Sequence, residues 1–412
     1  MGQNLYALVL TVPLCLVATV SQSQTPITLS VQPKLWLTAE RGLTFSESGK
    51  TVASWADALD PTIVFTQKSE SLQPQLVEKA VEGQPALLFG GKKGQFLEGL
   101  LPSPQYLTAK STIFWVSKVG DATNGGFQCG TMGITGNYAL RGNGCVGVST
   151  NYPFGLVGIF TGQYHTDDCV YSSAFLNGLP LPSNAQGCPV GPGAKMVIGS
   201  VGKGKNVLPY QGLVCELLVY NEILSPAARI LVENYLGSKY GVNVHKDLFL
   251  RHDPSYRFRV AGIGLESEGG VYRAESGGLL LIAPERNGPL NSSGDYVLIG
   301  HNAPEDDWKL VDENAWIAYP QANGASTQRL RREWFLDKTG QLGDGLTLLF
   351  ARERLGVPEA SLEGGNFVLL YRRSLKDSFV PIESKCFAGD KGPQFSLTNA
   401  QLEDGYYTLG KL

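Results

Sequence analysis

The stretch Gly212 to Val242, GLVCELLVYNEILSPAARILVENYLGSKYGV, constrains the fold more than any other part of this chain. It reads as a buried strand, a turn, and one capped helix that closes on glycine. Ser225 stands at the N-cap and Pro226 at the first helical position, where its missing N–H costs nothing. Ala228, Leu231, Val232, Tyr235 and Leu236 fall at i, i+3, i+4, i+7 and i+8, which is one apolar stripe. Gly241 suits the left-handed residue that ends a helix. Elsewhere the 412 residues include 50 Gly and 23 Pro, a composition of many turns and few long helices. Short apolar or β-branched runs recur at Lys34–Ala39, Val52–Trp55, Gln84–Phe89, Thr112–Val116, Met196–Gly199 and Leu213–Tyr220. Between Gly120 and Gly155 glycine is dense and periodicity lapses, so loops are expected there. Asn177-Gly178 is a tight hairpin turn of the kind that needs positive φ at both residues.

The chain exceeds one comfortable core, and two domains are expected. The first runs over 34–244 after a lead-in at 24–33. A junction at 245–257 follows, and a second all-β domain, a smaller sandwich, occupies 258–412. Its strands are read at Leu279–Ile282, Asp295–Gly300, Gln328–Asp337, Leu346–Ala351, Asn366–Tyr371 and Gly405–Leu409. Residues 1–23 have the layout of an export signal: Leu5 to Val20 is apolar and uncharged, with small residues before a cleavage after Ser23. An uncleaved anchor is the rival reading, and the run is short for a membrane span. No other segment approaches that length. The expected location is therefore secreted or cell-surface.

Lys and Arg number 34 against 37 Asp and Glu, a net charge of −3, which gives a nucleic-acid partner no electrostatic support. Of seven cysteines, Cys15 lies in the signal. The remaining six, Cys129, Cys145, Cys169, Cys188, Cys215 and Cys386, are an even set in an exported chain and are disulfide candidates, with Cys169 and Cys188 flanking the Asn-Gly turn. No spacing of Cys and His suggests structural zinc.

Within the first domain, LWLTAERG (Leu35–Gly42), VASWAD (Val52–Asp57), PALLFGG (Pro85–Gly91), FLNG (Phe175–Gly178) and CELLVYNEILS (Cys215–Ser225) occur in order and end in ENYLGSKYGV. Together they resemble the laminin-G-like jelly rolls of exported bacterial proteins, in the concanavalin A-like lectin and glucanase superfamily. RVAGIG, DYVLIGHN, RLRREWFLDKTG and DGYYTLG are similar to an uncharacterised β domain that follows such modules in bacterial surface proteins. The resemblance implies a concanavalin-like sandwich with one closing helix, then a second sandwich. That architecture serves lectins, adhesins and glycan hydrolases alike.

Chemistry is sparse. Glycan cleavage on such a sandwich needs two carboxylates across a cleft, and no E-x-D-x-x-E strand is present. Glu216 reads as an edge or interface acid and Glu222 as a turn residue. His165, Asp167 and Asp168 form the densest polar cluster and read as a solvated loop. Related sandwich modules sometimes hold calcium through loop carboxylates and carbonyls; here Asp121, Asn124, Asp167 and Asp168 could contribute, although no fixed ligand spacing marks them. Among the tryptophans, Trp36, Trp115 and Trp334 belong in cores, while Trp308 and Trp316 sit in a polar stretch and are the candidates for stacking on a sugar. The expected function is non-catalytic binding of a glycan or surface protein through loops at the sandwich ends. A glycan hydrolase or lyase and a structural spacer are the alternatives. A spacer predicts no pocket with convergent polar groups.

Overall fold

A computed structural model describes residues 32–108, 110–120, 125–129, 132–135, 139–142, 145–148, 153–164, 173–182, 193–202, 207–249, 254–302, 312, 314–320, 326–363 and 365–412, with the backbone alone for 139–142, 145–148, 320, 326, 327 and 359. Every strand pairing in it is antiparallel. The export signal, most of the lead-in, and Trp308, Cys169, Cys188, His165, Asp167, Asp168, Asp121 and Asn124 lie outside the described residues.

Among the described residues the protein is built from β-sandwiches with one α-helix between them. The first sandwich has an eight-stranded sheet in the order Leu179–Pro180, Ser173–Leu176, Val157–Tyr164, Ser111–Val119, Gln211–Tyr220, Gln84–Gly90, Gln75–Val81, with Leu35–Thr38 added beside the end of Gln211–Tyr220. Facing it is a nine-stranded sheet ordered Cys145–Val148, Ala139–Gly142, Met132–Thr135, Gly125–Cys129, Lys195–Ile198, Leu97–Leu100, Val64–Thr66, Val52–Ala56, Leu43–Phe45. Trp55, Phe65, Trp115, Phe127, Phe160 and Leu217 fill the space between the two. The second sandwich sets a nine-stranded sheet, centred on Asp295–His301, Trp334–Thr339 and Gly405–Lys411, against a five-stranded one of Arg273–Ser276, Leu279–Ile282, Leu346–Phe350, Gly392–Leu397 and Cys386–Gly389. Trp334, Phe350 and Phe395 anchor its core.

Between the sandwiches lies a further core around the helix Pro226–Tyr240. The expected caps are in place: Ser225 Oγ accepts from Ala228 N at 3.3 Å, and Gly241 closes the helix at φ 64°. The stripe of Leu231, Val232, Tyr235 and Leu236 is buried as read, but so is nearly every other side chain of the helix. One flank packs on Trp36, Phe114, Val116 and Leu218 from the outer face of the eight-stranded sheet. The other meets Val260, Tyr296, Leu298 and Phe335 from the second sandwich. Burial of each of Ile230, Leu231, Val232 and Leu236 is worth about 2 kcal/mol. Gly262, in the RVAGIG motif, allows this approach, because a Cβ there would lie 2.9 Å from Leu231 Cδ2 and 2.7 Å from the Val297 carbonyl.

The polar residues of the helix are buried with partners. Asn234 Nδ2 donates to the Lys246 carbonyl at 2.8 Å, and its Oδ1 accepts from Leu248 N at 2.8 Å, tying the helix to the chain that leaves it. Glu233 accepts two hydrogen bonds of 2.7 Å from Arg229, whose guanidinium lies 3.8 Å from the centre of the Phe175 ring. Glu216, expected at an edge or interface, is wholly buried beneath the helix. The strand Gln211–Tyr220 shifts register between Val214 and Glu216 against its neighbour. That bulge turns both Cys215 and Glu216 toward the helix. Glu216 then accepts from Trp36 Nε1 (2.7 Å), Tyr240 Oη (2.7 Å) and Lys239 Nζ (3.0 Å), and Lys239 also reaches Glu40 at 2.7 Å.

Several expectations change. The glycine-dense segment after Gly120 contains four strands, Gly125–Cys129, Met132–Thr135, Ala139–Gly142 and Cys145–Val148, where loops were expected. Glycine is used there for close approach: a Cβ on Gly125 would meet Val201 N and the Leu208 carbonyl at 2.3 Å. The single strand expected over Gln328–Asp337 is two, Ser326–Leu330 and Trp334–Thr339. Arg332 sits in the break and donates to the carbonyls of Gly277 (2.8 Å) and Leu355 (3.3 Å). The Asn177-Gly178 turn forms with φ of 50° and 79°, and the hairpin accommodates Pro180 opposite Phe175. Cys129, Cys215 and Cys386 are free thiols, so no disulfide joins any two of these three candidates. Cys215 and Cys129 are committed to the packed interiors on either side of one sheet.

Candidate functional site

The outer face of the first sandwich's nine-stranded sheet carries a cleft of about 610 Å³, within the range of small-ligand sites. Its floor comes from three neighbouring strands, Gly125–Cys129, Lys195–Ile198 and Leu97–Leu100. Alternation directs Phe127, Cys129, Met196, Ile198 and Leu97 into the core. The same alternation turns Gln128, Lys195, Val197 and Glu98 outward. Register aligns them, since Val197 faces Gln128 on one side and Glu98 on the other. Phe96 adds a half-buried aromatic surface at the edge of the floor.

Two walls rise from this floor. On one side Gly193, Ala194 and Lys195 lead into the central strand, braced from beneath by the Cys129 thiol on the Gly193 carbonyl at 3.1 Å. On the other, Ser200, Gly202 and Val207 stand over Gln128, whose Oε1 accepts from Gly202 N at 2.8 Å. Gly199 permits this second wall. Its φ is 88°, and a Cβ would drive into the Phe89 ring at 2.3 Å. Lys195 and Glu98 pair across the floor at 2.5 Å and remain well exposed. The cleft thus offers an ammonium, a carboxylate, an amide and an aromatic edge at one place. Among its described lining residues Glu98 is the one carboxylate, and glycosidic cleavage by acid and base or nucleophile uses two.

A second, smaller cleft of about 370 Å³ lies beside Glu40, Arg41, Phe45 and Glu78. Burial works to raise the Glu40 carboxyl, but the Lys239 ammonium, helped by Arg41 and the Thr38 hydroxyl, offsets it and leaves the group below its ordinary value. Arg41 lies 4.9 Å from the centre of the Trp36 ring. Both charged side chains are therefore engaged in holding the helix and first strand.

The residues singled out from sequence stand elsewhere. Trp316, a stacking candidate, is half-buried; its indole N–H donates to Ser361 Oγ at 3.0 Å and its ring leans on Phe367. It does not line either cleft. Trp36, Trp115 and Trp334 are core residues, as read. His301 is buried and stacked on Phe258. Among the described residues no group of three His, Cys, Asp or Glu side chains is placed to hold a metal ion. No helix among them is long and apolar enough to cross a membrane. The cleft residues escaped notice because they come from segments about 30 to 70 residues apart, joined only by strand pairing. Their signal was the in–out alternation of Leu97-Glu98 and Lys195-Met196-Val197.

No known protein family and no curated protein matches this sequence. Some solved structures align with parts or most of this chain at low identity. Domain 4 of AbnA, a GH43 extracellular arabinanase from Geobacillus stearothermophilus solved with arabinotriose, is 13% identical over 48% of this chain and 95% of that one, with a TM-score of 0.32. The Trypanosoma rangeli sialidase in complex with sialic acid is 12% identical over 47% of this chain and 31% of that one, at 0.34. The binding domain of Paraclostridial Mosquitocidal Protein 1 aligns over 91% of this chain and 97% of its own, with 10% identity and a TM-score of 0.36.

Proposed function

We propose that this is an exported, laminin-G-like carbohydrate-binding protein that takes its ligand, without cleaving it, in the cleft on the nine-stranded sheet. The cleft itself carries the reading. Donors and acceptors converge there beside an aromatic surface, and a sugar needs both kinds of contact at once. A bare spacer has no use for such a site. Lys195 would donate to a ring hydroxyl, Glu98 would accept from its neighbour, and Phe96 would meet the apolar C–H edge. This moves the binding surface from the sandwich-end loops expected from sequence to a sheet face.

The test is a glycan array with the secreted chain, followed by calorimetry on any sugar that binds. Val197→Trp fills the floor of the cleft and Lys195→Ala removes the donor, so each should abolish or weaken binding at least ten-fold while the fold persists. Binding that survives Val197→Trp but disappears with Trp308→Ala or Trp316→Ala would transfer the site to the second sandwich. An empty array would remove the carbohydrate reading for the sugars printed on it.

A further inference from the structure

The strand registers carry the outward row of the cleft beyond its walls. Val197 faces Glu98, Glu98 faces Thr66, Thr66 faces Ser54, and Ser54 faces Thr44. Directly opposed residues share a face, so Gln128, Val197, Glu98, Thr66, Ser54 and Thr44 form one outward ladder across six strands. Thr44 and Thr66 are exposed and Ser54 is half-buried. Neighbouring strands are about 4.8 Å apart, so the five steps span roughly 24 Å. A compact monosaccharide in the cleft would leave the hydroxyl half of this ladder unused.

Resting on the carbohydrate reading above, we infer that the ligand is a linear, diequatorially 1,4-linked oligosaccharide lying across the strands, one sugar to about one strand, with the cleft as its anchoring subsite and Thr66, Ser54 and Thr44 as an extension. Such a linkage gives an extended ribbon whose repeat is close to the strand spacing. An α-1,4-linked chain coils away from any straight row. Adjacent strands are rotated by about 20°, so the bound chain must twist along the ladder. That favours single soluble chains over the flat face of a packed polymer.

The experiment is calorimetry with cello- and chito-oligosaccharides of two to six units, and malto-oligosaccharides as the coiled control, on the wild type and Ser54→Ala/Thr66→Val. Wild-type affinity should climb with each unit up to about the length of the ladder. Each deleted hydroxyl should weaken the hexamer roughly five-fold and leave the dimer unchanged, and that unchanged dimer also shows that the variant is folded. A length series that is flat, a double variant that binds the hexamer normally, or equal affinity for malto-oligosaccharides would overturn the ladder while leaving cleft binding intact. If no 1,4-linked chain binds but another sugar on the array does, and Val197→Trp abolishes it, the ladder fails and the carbohydrate reading stands. If nothing binds at all, both fail together.

Discussion

Asp57, the last residue of VASWAD, should make the stability of this protein fall as pH rises through the mildly acidic range. It is 2% exposed. Its Oδ1 accepts from Trp36 N at 2.9 Å and Leu59 N at 3.1 Å, fastening the first strand to the turn after Val52–Ala56. Its Oδ2 has no hydrogen-bond partner among the described residues. Burial outweighs the backbone donors and pushes the carboxyl from 3.8 up to about 6. A group whose folded pKa is raised contributes stability in full below the unfolded value, and that contribution is lost as pH passes through the folded value. Here the window runs from about pH 4 to 6, and the rise is equivalent to about 3 kcal/mol. Asp57→Asn keeps the Oδ1 acceptor and does not ionise. Its buried amide carries a constant cost of about 1–3 kcal/mol, so the slope is diagnostic and the level is not. Urea unfolding of both proteins from pH 3.5 to 7.5 should show the difference drifting by about 3 kcal/mol in favour of asparagine as pH rises. A constant difference across that range, or a drift favouring the wild type, would refute the argument.

Three further outcomes follow from the packing. Lys239→Met leaves Glu216 and Glu40 without their shared cation and should cost about 3–5 kcal/mol, with part regained in Lys239→Met/Glu216→Gln, as read by thermal melting. Gly262→Ala should lower stability by about 1–3 kcal/mol by pressing on Leu231 and the Val297 carbonyl; a neutral result would mean that the helix has room to move off its strand. Alkylation under denaturing, non-reducing conditions should label Cys129, Cys215 and Cys386. In the native protein Cys215 should stay inert at neutral pH, because burial pushes its thiol far above the ordinary value; rapid native labelling would contradict that burial.

The parts that were readable from the sequence are those decided locally. Ser225, Pro226 and Gly241 mark the helix because caps act within one turn. Asn177-Gly178 marks its hairpin because two positive φ angles restrict residue choice. What eluded local reading depends on partners far along the chain. Glu233, Asn234 and Lys239 look like a solvated helix face until Thr161, Lys246 and Glu216 arrive to meet them. The glycines near position 125 look like loop because their role, admitting Val201 and Leu208 against the backbone, is invisible without the fold. The cleft is a harder case still. Glu98, Gln128 and Lys195 are ordinary polar residues on short strands, and only the order in which those strands pair makes them neighbours.

The doubly buried helix also bears on how this chain can be divided or inherited. A break after Val244, which sequence alone recommends as a domain boundary, would strip Val260, Tyr296, Leu298 and Phe335 from one side of the helix and leave Ile230, Leu231 and their neighbours facing water. Neither fragment would be a finished module; each would present a sticky apolar wall to its surroundings. The second sandwich is thus no optional passenger that recombination can exchange freely. With the helix packed on both sides, the sheet face that carries the cleft is tied through one shared core to everything after residue 258, as in a tool forged in one piece with its handle.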